Sequence, residues 1–119
     1  YAGERWRQDN RDAISPPQII QSSLPNPDDP SDIIELTSLK IKKSSETNWY
    51  AFRGDHVFRM SSHLPAKWEL IMDRVNSSTM VEEQRGEVVV WRWEVELQTR
   101  TKKASIHPLF TFLAAPKKL

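Results

Sequence analysis

The stretch from Glu87 to Arg100 limits what this chain can become more than any other. Its odd positions read Val89, Trp91, Trp93, Val95 and Leu97. Its even positions, after Val88 and Val90, are Arg92, Glu94, Glu96, Gln98 and Arg100. A period of two sends successive side chains to opposite faces of a strand, so the segment predicts a strand with one buried and one wet face. One-sided burial of this kind belongs to antiparallel sheets. The run exceeds the usual length of about five to six residues, which requires it to cross most of a sheet or to bend.

The neighbouring segments fit such a sheet. Ile33 to Lys43 is rich in β-branched residues, but Ile34 and Leu36 stand out of phase with Leu39 and Ile41, which predicts a bulge near Thr37–Ser38. Trp49 to Met60 is aromatic and β-branched around Gly54-Asp55, which favours a hairpin because glycine supplies the positive φ of such turns. Ile106 to Leu113 predicts an edge strand, since Pro108 cannot donate to a ladder. Between these, Leu64, Trp68, Ile71, Met72 and Val75 recur at helical spacing after the capping residues Ser61 and Ser62, which predicts a helix over 61–76.

The first 32 residues differ. Five of the eight prolines fall between positions 16 and 30. Proline fixes φ and removes a backbone donor, which excludes a helix or a central strand there. Tyr1 to Ile14 is polar, with Trp6 alone among charges and no apolar face to hold a helix. The expected organisation is therefore an extended Pro-rich N-terminal arm over 1–32, an α+β domain over 33–114 and a C-terminal tail over 115–119. The domain is expected to be an antiparallel sheet of four to five strands with one helix packed on its apolar face, centred on Trp68, Trp91 and Trp93.

Composition narrows the chemistry. The 119 residues suit one domain, and 38% hydrophobic with 28% charged residues suits a folded one. Seventeen Lys and Arg against 16 Asp and Glu give a net charge of +1, with no long-range pull toward nucleic acid. The lack of cysteine removes disulfides and thiolate metal sites, and fits an intracellular compartment. No run approaches the roughly 20 apolar residues of a membrane span. A start at Tyr1 rather than Met is expected of a processed chain or an excised fragment.

Three glycines, all isolated, exclude phosphate-cradling loops. His56, His63 and His107 lack metal-ligand spacing, and no cofactor is implied. Arg53-Gly54-Asp55 is explained by the turn, Asn76-Ser77-Ser78 by a helix stop, and the carboxylate pairs Asp28-Asp29 and Glu82-Glu83 by solvated loops. The reading placed first is a non-catalytic interaction or structural subunit of a larger assembly. Its partners are other protein subunits, docked through Trp6, Ile19, Ile20 and Leu24 of the arm. A nucleic-acid (RNA) module using Lys40, Lys42, Lys43, Arg100, Lys102 and Lys103 stands as the alternative, because lysines beside exposed Trp49 or Tyr50 would match phosphates and stacked bases. A small enzyme or ligand-binding domain, tested first at His56 and His63, is the third.

Overall fold

The computed structural model describes residues 2–63, 67–98 and 109–115. A helix, α1 (Ala2–Arg11), is followed by eight strands: β1 (Gln18–Asn26), β2 (Asp29–Lys42), β3 (Thr47–Arg53), β4 (His56–Ser61), β5 (Trp68–Met72), β6 (Val75–Arg85), β7 (Val88–Leu97) and β8 (Leu109–Ala114). Every pairing is antiparallel between chain neighbours, giving a five-stranded sheet β1-β2-β3-β4-β5 and a three-stranded sheet β6-β7-β8. The fold is thus α+β with antiparallel sheets, as expected, but with two sheets instead of one and its described helix at the N-terminus.

The main core lies between the sheets. Leu39, Ile41, Tyr50 and Val57 of the larger sheet meet Val75, Trp91, Trp93, Val95 and Phe112 of the smaller, with Trp6 of α1 inserted among them. Trp93 is the hub: its ring lies 5.6 Å from Trp6, 6.4 Å from Tyr50 and 5.2 Å from Phe112. The alternation of the long strand is realised, with Trp91, Trp93 and Val95 buried on β7. A second, smaller core of Leu24, Leu36, Ala51 and Met60, flanked by Trp49 and Trp68, occupies the opposite face of the larger sheet. The tip of the β1–β2 hairpin curls over it: Trp68 Nε1 donates to the Pro25 carbonyl at 2.6 Å, and Arg53 pairs with Asp28 at 3.0 Å.

This two-sided burial overturns two expectations. Register runs unbroken through Thr37 and Ser38, opposite Gln21 and Ile20, so no bulge resets the phase. Leu36 serves one core and Leu39 and Ile41 the other. The helix over 61–76 is likewise replaced by β5 and β6. Trp68 faces the second core while Ile71 and Met72 pack on the first. Burial on alternating sides of successive strands reproduces the three-to-four spacing of an amphipathic helix. Between the strands Arg74 takes φ 54°, turning the chain from one sheet to the other. The Val75 N–H then donates to Asp55 at 2.9 Å. The Gly54 turn forms as expected, with φ 63°. Of the predicted strand 106–113, Leu109 onward forms β8, and Ile106 to Pro108 lie outside the described residues.

The expected extended arm is also corrected. α1 buries Gly3, Trp6, Asp9 and Asn10, and Ala13 continues that stripe into a bridge with Lys43. The stripe has helical spacing, but half of it is polar, so hydrophobicity does not reveal it. Beyond Pro16 and Pro17 the chain becomes β1, and the turn at 26–29 is set by asparagine, whose Oδ1 accepts the Asp28 N–H at 2.9 Å. Pro25 is tolerated because β1 is an edge strand; Pro27 stands in the turn, and Pro30 lies on β2 outside its paired positions.

Candidate functional site

Two strand edges of the larger sheet, β1 and β5, and two of the smaller, β6 and β8, remain without a ladder partner among the described residues. They define two seams between the layers, and the chain treats them differently.

The β5/β8 seam is covered by α1. Arg5 Nη1 donates to Glu69 on β5 at 2.8 Å, and Arg7 Nε donates to the Leu113 carbonyl on β8 at 3.2 Å. Gly3 lies so close to the Phe112 ring that any side chain there would collide with it. Below, the Asp9 carboxylate accepts from Arg59 Nε at 2.8 Å and Nη2 at 3.1 Å, from Tyr50 at 2.5 Å and from Lys43 Nζ at 2.9 Å. Burial pushes the Asp9 carboxyl up, but the hydrogen bonds of Arg59, Tyr50 and Lys43 and the Arg59 charge outweigh it and hold it below its ordinary value. Burial and the Asp9 charge together push the Tyr50 hydroxyl far up, so it donates at all ordinary pH. Lys43 also pairs with Glu46 at 3.0 Å, and the Ser61 hydroxyl donates to Glu46, which with Lys43 keeps that carboxyl low against the effect of burial. The node balances two cations, Lys43 and Arg59, against two anions, Asp9 and Glu46. It anchors α1 to β3 and β4 and to Lys43, which follows β2.

The β1/β6 seam has no such cover among the described residues. A groove of about 650 Å³ runs between Pro17, Gln18, Ile19 and Ile20 on one side and Met80, Val81 and Glu82 on the other, with Trp91 of β7 also in its lining. A second cavity of about 300 Å³ shares Ile19 and Met80 and reaches inward to Ser38, Leu39 and Tyr50. β1 carries no charged residue over its nine positions, QIIQSSLPN. Folded proteins commonly protect an exposed edge with charge, and an uncharged edge is a template for another strand.

The sequence-predicted docking residues divide accordingly. Trp6 and Leu24 are buried in the chain's own two cores, whereas Ile19 is 47% exposed and Ile20 half-buried at the groove. Of the basic set, Lys43 is held in the Asp9 node, Lys40 is half-buried opposite Trp49, and Lys42 is exposed. Arg100, Lys102 and Lys103 lie outside the described residues. Tyr50 is buried, so it offers no stacking face. His56 Nδ1 sits 2.9 Å from Asp55 and His63 Nε2 3.6 Å from Glu46, both on exposed histidine side chains. No cluster of three His, Asp or Glu side chains suited to a metal occurs among the described residues. Nor is any described helix long and apolar enough to cross a membrane.

Met80, Val81 and Glu82 are not legible as site residues, because the sequence of β6 reads partly as helix end and partly as loop, and Trp91 reads as core. The available signal was the missing charge along Gln18–Asn26 beside the prolines of an edge. Comparison with protein-family models, curated proteins and solved structures finds no match.

Proposed function

We propose that this chain is a non-catalytic protein-interaction module that takes up an extended segment of another protein subunit along the open seam between β1 and β6. The observation that carries this reading is the pair of strand edges flanking a groove, uncovered among the described residues, whose lining includes Ile19, Ile20, Met80 and Trp91. An added strand would receive backbone hydrogen bonds from an edge and side-chain contacts from Ile19, Ile20, Met80 and Trp91, which is how β-augmentation divides affinity from specificity. Ile19, 47% exposed, and Ile20, half-buried, serve the docking role expected of the N-terminal region.

The test is a photo-cross-linking amino acid placed at Ile19 and at Met80 of the chain in its native host, with Val88 as control. Val88 is 52% exposed on the outward face of β7, away from the groove lining. Adducts to the same contiguous partner segment from Ile19 and Met80, and none from Val88, are the expected result. Equal labelling from all three positions would remove the seam as the docking surface.

A further inference from the structure

The groove does more than admit a strand; its lining selects one. Resting on the reading of the β1/β6 seam as a docking site, we infer that its occupant is an extended protein segment of about five residues. Its alternate side chains are apolar, and a lysine or arginine lies against Glu82.

Length follows from the walls. The two cavities together track β6 from Ser78 to Glu82, five residues, or about 17 Å of strand. The apolar pattern follows from parity. Met80 lies opposite Trp93 and Glu82 opposite Trp91 in the β6–β7 register, so Ser78, Met80 and Glu82 share the face turned to the core layer. A strand laid beside β6 presents every second side chain to that layer, where Ile19, Leu39, Phe52 and Val57 line the inner cavity.

The charge follows from Glu82. It is the sole charged residue in the described lining of either cavity. Its neighbour Glu83 pairs with Arg85 at 3.0 Å and Arg92 at 2.5 Å, whereas Glu82 has no ion-pair partner among the described residues. An unpaired carboxylate beside Trp91 at the mouth of an apolar trough disfavours an acidic occupant and favours a basic one. Two buried groups of the lining, Trp91 Nε1 and Ser38 Oγ, also lack a hydrogen-bond partner among the described residues.

The experiment is selection of random dodecapeptides displayed on phage against the full chain, with counter-selection on Ile19→Arg. Ile19 is exposed, so this variant keeps the parent's melting temperature, which is measured alongside. Enriched sequences are expected to alternate apolar residues and to carry Lys or Arg. Selected peptides should shift the Trp91 indole resonance. Glu82→Ala should weaken them about two- to fivefold, the range of an exposed ion pair, and Glu82→Lys should turn the selection toward Asp and Glu. Peptides that compete at Ile19 but show no charge bias and ignore Glu82 would overturn the inferred chemistry and leave the seam as a docking site. No enrichment over Ile19→Arg would overturn both. A parent dimer in sedimentation that Ile19→Arg abolishes would give the seam to a second copy and overturn the inference.

Discussion

The two seams of this molecule are built from the same material, a strand edge of the larger sheet facing a strand edge of the smaller, yet α1 bridges one and no described residue covers the other. At the β5/β8 seam α1 contributes a fully buried Trp6, a close approach at Gly3 and a four-donor carboxylate at Asp9. At the β1/β6 seam the described residues offer apolar side chains, one unpaired carboxylate and an uncharged edge. The difference separates a seam spent on holding a helix from one that leaves Ile19 and Glu82 exposed above lining residues, Trp91 among them, that also belong to the core.

That division fails or sharpens under substitution. The largest effect belongs to the bridged side. Asp9→Ala strands a buried Arg59, whose side chain is only 7% exposed, and should cost about 3 to 5 kcal/mol in urea unfolding. Replacing Asp9 and Arg59 together by leucine and methionine should recover most of that loss, because the cost lies in the unpaired charge. A small effect of Asp9→Ala alone would show that α1 is not held by this node. Gly3→Ala comes next, at about 1 to 3 kcal/mol, through collision with Phe112; an unchanged melting temperature would mean that the helix shifts freely over β8.

Acid probes the same seam. The folded-state carboxyls of Asp9 and Glu46 lie below their ordinary values of 3.8 and 4.5. Their contribution to stability is therefore present above those values and disappears as pH falls through the depressed ones. Lys43 is raised above 10.5, since its bonds to Asp9 and Glu46 outweigh the lowering effect of burial, and its contribution is lost only as pH rises through that higher value. Melting temperature measured from pH 5 to pH 2 should fall for the parent and fall less for the Asp9–Arg59 double variant. Parallel curves for the two proteins would exclude Asp9 as a source of the acid loss. The smallest stability effect belongs to the open seam. Ile19→Arg should change unfolding by less than about 0.5 kcal/mol, while abolishing uptake of the partner segment. A cost above about 2 kcal/mol would place Ile19 in the fold and not at an interface.

The sequence marks β7 by its one-sided burial and marks the two-sided β2, β3 and β4 by β-branched residues and the Gly54 turn, whereas β5 and β6 carry no such mark. β7 was legible because Trp91, Trp93 and Val95 all face one core, and the β3–β4 hairpin because Gly54 marks its turn. Residues 68–85 were misread because Trp68 and Ile71 belong to opposite layers. The helix at 2–11 was missed because its buried face includes Asp9 and Asn10, whose burial makes sense only once Arg59, Tyr50 and Lys43 arrive from strands far along the chain. The docking residues were half legible: Ile19 and Ile20 reach the groove, whereas Trp6 and Leu24 turned inward.

The amino-acid sequence by itself determined the local choices: extended backbone at the prolines, turns at Gly54 and Asn26, and an antiparallel ladder around β7. These depend on φ, donors and side-chain parity, which each residue carries with it. Which face of each strand is buried, where a charged helix residue finds its partners, and which seam stays open were decided only by the packing of two sheets and a helix. Burial and electrostatic pairing belong to juxtapositions across the chain, and those exist only when the layers have closed.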